Sequence, residues 1–214
     1  MPTILLIITY LVILFLITIF YKSYTSNNKE VLRKIIHIGI GPLIPFAKFL
    51  EIKIETAQYL AGFISLMIIL NYIYKLFPII EDVDRKSYGT IFYCISLFIL
   101  ISIFWEKDPS ALFVGVFIMT FGDGLAGLLG KNFKSKSWII FNQKKSLLGT
   151  LTMLIVSTLV LVTIGYKTGY EFNLFYIFIA IISTILEQIS ILGIDNLIVP
   201  LISAIMFNLL ITNI

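Results

Sequence analysis

Residues Met119 to Thr150 read MTFGDGLAGLLGKNFKSKSWIIFNQKKSLLGT, which places Asp123 inside an apolar span and follows it with five lysines and a serine-bearing loop. An ionisable side chain near the centre of a transmembrane helix costs about 2.5–3.5 kcal/mol on insertion scales, so Asp123 is a candidate functional residue. Its carboxylate suits a hard cation such as Mg²⁺ that is shared with phosphates. Gly122, Gly124, Gly127 and Gly130 would then let a nucleotide or a neighbouring helix approach closely. The alternative is that these glycines only pack helices and that Asp123 is a buried, hydrogen-bonded structural group. Gly130-Lys131 resembles the end of a phosphate-binding P-loop, but Leu125 stands where that motif needs glycine and Asn132 where it needs Ser or Thr.

Lys144, Lys145 and Ser146 precede the next apolar run. A hydroxyl and free backbone N–H groups at a helix start, flanked by lysines, form an anion site; the same residues also serve as a helix cap with a positive flank. A metal-binding carboxylate and a phosphate-binding helix start joined by one loop make a plausible nucleotide-phosphate site. Glu187, Asp195 and Asn196 lie in LEQISILGIDNLIVP. They either complete a metal site or accept a proton from a substrate hydroxyl, or they form a tight turn with Glu187 reaching to the interface. Arg33, Lys34 and His37 share a helix face at spacings of three and four, open to phosphate binding or to a simple cytoplasmic anchor.

The elements that must position these residues are membrane helices. The chain has 214 residues, of which 59% are hydrophobic and 13% charged. Its mean hydropathy of +1.01 exceeds what one soluble core could hide. Cys94 is the only cysteine and His37 the only histidine, which excludes an internal disulfide and a Cys/His zinc site. The basic residues lie in short loops between spans, with no soluble domain to present a face to nucleic acid. The first apolar run has no Lys or Arg before it and Lys22 just after, the wrong polarity for a signal peptide.

Eight apolar runs approach the length needed to cross a bilayer: about 4–21, 35–50, 57–74, 90–105, 110–130, 147–165, 173–191 and 197–212. The expected fold is an all-α, polytopic helical bundle of about eight (7–9) spans. It forms a single transmembrane domain over 1–214, with the first helix peripheral to a catalytic core over 30–212. The second run, with Gly39, Gly41, Pro42 and Pro45, is expected to kink or break, and Pro200 raises the same question for the eighth. Twelve Lys and Arg fall in loops one, three, five and seven against four in loops two, four and six. That bias puts the odd loops in the cytoplasm and both termini outside. Asp123, Glu187, Asp195 and the helix starts at Ser87–Thr90 and Ser146–Thr150 then collect on the cytoplasmic side. RKSYGT (85–90) and KKSLLGT (144–150) form a weak internal echo.

Four segments taken together, RKIIH (33–37), GDGLAGLLGK (122–131), KKSLLGT (144–150) and Glu187 followed by DNLIVP (195–200), resemble the membrane family of CTP-dependent lipid-alcohol kinases. That family includes phytol, farnesol and dolichol kinases and the CTP-dependent diacylglycerol kinase; the similarity to CDP-diacylglycerol synthases is more distant. Leu148 stands where dolichol kinases and cytidylyltransferases commonly carry a glutamate, which places the chain nearest the phytol kinase branch.

The resemblance implies phosphoryl transfer from CTP, or another nucleoside triphosphate, to a membrane-resident isoprenoid or lipid alcohol. Asp123 and Asp195 would hold Mg²⁺. Lys131, Lys144, Lys145, Ser146, Gly122, Gly124, Gly149, Thr150, Arg33, His37 and Asn196 would meet the nucleotide, and Glu187 would act as base beside Asp123 and Lys145. A plasma membrane and an internal photosynthetic membrane fit equally. The rival readings are cytidylyl transfer to a lipid phosphate, a small transporter, and a structural membrane subunit.

Overall fold

The second apolar run breaks where its glycines and prolines fall. In a computed structural model, which describes residues 2–24, 29–75 and 88–212, α1 (Pro2–Tyr24) is followed by α2 (Lys29–Ile40) and a short α3 (Leu43–Phe49). Gly41 lies in the turn between them, where a side chain would collide with Thr120. Next come α4 (Ile54–Tyr74), α5 (Gly89–Phe104) and α6 (Pro109–Phe117). The Asp108 carboxylate caps α6 by accepting from the backbone N–H groups of Ser110 and Ala111, each at 3.1 Å, with Pro109 in the first turn.

The span expected over 110–130 is one path with a defect in the middle. A π-helical turn, Ile118–Asp123, joins α6 to α7 (Gly124–Asn132). Such single-turn insertions free a backbone carbonyl and re-aim the side chains that follow. Here the insertion ends on Asp123 itself.

The expectation of an all-α chain needs one correction. A β-hairpin of β1 (Ser137–Ile140) and β2 (Gln143–Ser146) separates α7 from α8 (Leu147–Lys167). Its register pairs Trp138 with Lys145 and Ile139 with Lys144. Phe141 and Asn142 form the two-residue loop, both at positive φ (47° and 62°), as a mirror-image hairpin turn requires. Lys144 and Lys145 therefore stand on a strand, not on a helix start. Ser146 does open α8, its Oγ accepting from the Gly149 N–H at 3.2 Å.

The chain ends with α9 (Leu174–Ile189) and α10 (Asp195–Thr212). Pro200 sits inside α10, and its carbonyl lies against Gly115 of α6, where any side chain would clash. Asn208 ties the far end of α10 to the Asp108 cap at 2.8 Å. Around this seam Trp105, Leu112, Met119, Met153, Tyr176 and Phe207 are wholly buried. By length and composition, five helical segments among the described residues could cross a membrane: Thr3–Tyr21, Ile54–Tyr74, Pro109–Asn132, Leu147–Lys167 and Asp195–Thr212. α5 and α9 are shorter apolar helices, and the second expected span is the broken α2–α3 pair. Thr3–Tyr21 is mostly exposed whereas Pro109–Asn132 is mostly buried, so α1 flanks a core centred on the α6–α7 path.

Candidate functional site

Asp123 ends the π-turn with its carboxylate buried, and the group it meets comes from a helix 89 residues earlier. Lys34 Nζ donates to Asp123 Oδ2 at 2.5 Å and to the Asp123 main-chain oxygen at 3.1 Å. The lysine reaches it across Gly127, where a Cβ would lie 2.8 Å from Lys34 Cε. One turn along α2, His37 Nε2 lies 3.1 Å from the Met119 carbonyl of the π-turn and 3.8 Å from Asp123 Oδ2. The imidazole rests on the Tyr93 ring at 4.1 Å between centroids, and Tyr93 Oη lies 2.8 Å from Thr120 Oγ1.

A second lysine repeats the arrangement on the other wall. Lys145 Nζ donates to Glu187 Oε1 at 2.5 Å and to the Glu187 main-chain oxygen at 2.7 Å. Gln188 Nε2 donates to Glu187 Oε2 at 2.8 Å and to Thr150 Oγ1 at 2.9 Å. Glu187 is buried, so it does not reach out to the interface. Asp195 opens α10, its Oδ1 accepting from Asn196 Nδ2 at 3.2 Å.

The carboxylates of Asp123, Glu187 and Asp195 each offer an oxygen within 4.8 Å of the others. Acids gathered this closely repel one another when ionised, and nearby cations and hydrogen-bond donors offset that repulsion. Lys34 and Lys145 pair with two of the acids. The donors are hard carboxylate oxygens at a cavity wall, the chemistry that Mg²⁺ takes while sharing its remaining positions with water and phosphate. The residues present therefore fit that ion.

The cavity has a volume of about 900 Å³. Its floor is the acid cluster with Lys34, Lys145, Gly149 and Asn196; its rim carries Lys131, Lys134 and Lys144. α7 and α8 cross closely at its base, because a Cβ on Gly130 would fall 2.6 Å from Ser146 Oγ and one on Gly149 3.1 Å from the Ala126 carbonyl. A cavity with carboxylates at the bottom and ammonium groups round the mouth is shaped for a polyanion that carries its own cation.

Twelve of the residues expected from sequence line this cavity: Lys34, Asp123, Gly127, Gly130, Lys131, Lys144, Lys145, Ser146, Gly149, Glu187, Asp195 and Asn196. The geometry separates four others from it. Gly122 packs on Met153, whose sulfur would lie 2.8 Å from a Cβ there, and Gly124 packs on Ile38 at 2.6 Å. Thr150 supports Gln188, and His37 supports the π-turn. The side chain of Arg33 and the echo segment at 85–87 lie outside the described residues. Lys34, read from sequence as open to phosphate binding, lines the cavity paired with Asp123, and Gln188 enters the site without having been singled out for it. The cue for Lys34 was the face it shares with Arg33 and His37 on an amphipathic helix; nothing local marks Gln188.

The chain is similar to phytol kinase of Synechocystis, with 36% identity over 200 residues that cover 92% of this chain and 86% of that protein. It is 26% identical over 208 residues to phytol kinase 1, chloroplastic, of Arabidopsis thaliana, covering 85% of this chain and 67% of the relative. An uncharacterized protein of Methanocaldococcus jannaschii is 31% identical over 192 residues, 84% of this chain and 93% of that one. No protein-family model and no solved structure matches the chain.

Proposed function

The chain belongs to the phytol kinase family, and from that premise we propose that it transfers the terminal phosphoryl group of CTP to the hydroxyl of phytol or a related isoprenoid alcohol. The reaction takes place at a cytoplasm-facing site on the membrane surface. The observation that carries this reading is the triad Asp123, Glu187 and Asp195, gathered within 4.8 Å beneath a lysine-rimmed cavity.

Lys131 and Lys144 draw the triphosphate to the mouth of the cavity. Asp123 and Asp195 would hold Mg²⁺, which would supply charge neutralisation to the phosphate oxygens. Lys145 lines the cavity beside Glu187 and can exchange the carboxylate for a phosphate oxygen, leaving Glu187 free. As the alcohol oxygen bonds to the γ-phosphorus, the bond from that phosphorus to the β–γ bridging oxygen breaks and CDP leaves. The hydroxyl proton passes to Glu187. Catalysis of this kind rests on positioning and charge stabilisation, for which a buried, lysine-braced acid cluster is suited. The alcohol's chain stays among the helices while its hydroxyl reaches the cavity from the side.

The test is a membrane assay with phytol and CTP labelled at either the α- or the γ-phosphorus, repeated with ATP, GTP and UTP. Transfer of γ-label into lipid, with CTP preferred, supports the reading. Transfer of α-label instead would assign the site to cytidylyl transfer, and no label in lipid with any donor would remove the kinase reading.

A further inference from the structure

The β-hairpin that supplies Lys145 to the cavity also carries a surface unlike a water-facing loop. Its sequence Trp138-Ile139-Ile140-Phe141 puts four apolar residues in a row. Trp138 is 36% exposed, Ile139 74% and Phe141 60%. Exposed apolar clusters of this kind mark contact with lipid or protein. Phe133, at the end of α7, is a further exposed aromatic on the same loop.

Two features point to lipid. The hairpin runs directly into α8, whose Leu147, Leu151, Ile155 and Leu159 recur every four residues and are all exposed. That ridge is the outer face of a helix long and apolar enough to cross a membrane, so the hairpin tip prolongs a lipid-facing surface. Charge supplies the second. Lys134 and Lys136 are exposed beside the apolar residues, the pairing of aromatic and cationic side chains that suits the boundary between acyl chains and anionic headgroups. Depth is limited by the backbone. A two-stranded sheet leaves both outer edges unpaired, which hydrocarbon does not tolerate and the hydrated headgroup layer does.

We infer that the hairpin is a membrane-interface anchor, with Trp138, Ile139 and Phe141 seated among headgroups and upper acyl chains, and Lys134 and Lys136 on anionic lipid. The seat fixes one wall of the cavity at the bilayer surface. It does not depend on the reaction proposed above, and its test needs no turnover.

The chain has two tryptophans, and the other, Trp105, is wholly buried. The Trp105→Phe variant in proteoliposomes therefore reports on Trp138 alone. Lipids brominated near the top of the acyl chain are expected to remove most of its emission, and aqueous iodide little. Anionic lipid should deepen the quenching, and Lys134→Gln with Lys136→Gln should abolish that increment. Should Trp105→Phe fail to insert, the same signal is taken as wild type minus Trp138→Phe. Quenching by iodide and not by bromolipid would put the hairpin in water, and quenching by neither would mean protein covers it; either result overturns the inference.

Discussion

Lys34 grips Asp123 twice, at the carboxylate (2.5 Å) and at its own main-chain carbonyl (3.1 Å), and does so from a helix on the other side of the cavity floor. Both side chains are nearly sealed from solvent, 5% and 10% exposed. Removing one partner of such a pair leaves a buried charge without compensation, which costs about 3–5 kcal/mol. Lys34→Met is therefore expected to lower thermal stability in detergent by that amount. Lys34→Met with Asp123→Asn should recover a large part of the loss. Equal stability of the single variant and the wild type would show that the pair contributes little.

Gly127 is the position that lets this happen. Alanine is the better helix former by about 1 kcal/mol, yet here its methyl would press on Lys34 Cε at 2.8 Å. Overpacking costs about 1–3 kcal/mol, so Gly127→Ala is expected to destabilise and to displace the lysine. Gly62→Ala is the control, since its methyl would meet only Phe98 at 3.5 Å. That variant should be neutral or slightly stabilising. The paired melting temperatures decide between crowding at Lys34 and helix propensity as the dominant effect.

Much of the floor was legible in the sequence because its chemistry is expensive. Asp123, Glu187 and Asp195 are acids in or beside apolar runs, and a membrane keeps such residues only with a reason. The break at Gly41–Pro42 was legible for the same kind of reason, since glycine and proline act locally. The π-turn and the partner of Asp123 were not. A single inserted residue in a helix leaves no periodic trace over six residues, and Lys34 and Asp123 are 89 positions apart. The hairpin was hidden by its composition: lysines before an apolar run read as a helix flank, and the turn at Phe141-Asn142 lacks the glycine that usually announces it.

Exposed and buried lysines should fail differently. Lys144 stands exposed at the rim, whereas Lys145 is 10% exposed and paired with Glu187. Lys144→Gln is expected to raise the KM for nucleotide, to leave kcat nearly unchanged, and to flatten the dependence of KM on salt, because rim charges act over a Debye length of about 10 Å at 0.1 M. Lys145→Gln should lower kcat with little change in that salt dependence. Identical profiles for the two variants would contradict the division between rim and floor.

Glu187 is the acid that the proposed reaction uses to take a proton. Its second oxygen is already oriented by Gln188 at 2.8 Å. Glu187→Gln keeps the shape and removes the proton acceptor, so kcat should fall by about 10²–10⁴, the usual contribution of a general base. Nucleotide binding, followed by protection against heat, should survive. A variant with near wild-type kcat would move the base elsewhere in the triad.

Asp195 offers the sharpest test of the metal, because it is the one acid of the triad with no lysine bonded to its carboxylate among the interactions described. The floor holds three carboxyl groups against two lysines, and a divalent ion that binds the folded state and not the unfolded one must stabilise it. At a hundredfold excess over its dissociation constant the gain is about 2.7 kcal/mol. Mg²⁺ or Mn²⁺ is therefore expected to raise the melting temperature of the wild type in the absence of nucleotide, with the effect lost on chelation. Asp195→Asn should abolish the ion's effect while melting close to the metal-free wild type, since no buried lysine is orphaned by the change. Asp123→Asn should abolish it too, but from a lower starting stability, because Lys34 then lies buried beside a neutral amide. If Asp195→Asn retains the full ion-dependent shift, Asp195 is not a ligand, and the site reduces to Asp123 and Glu187 with their lysines.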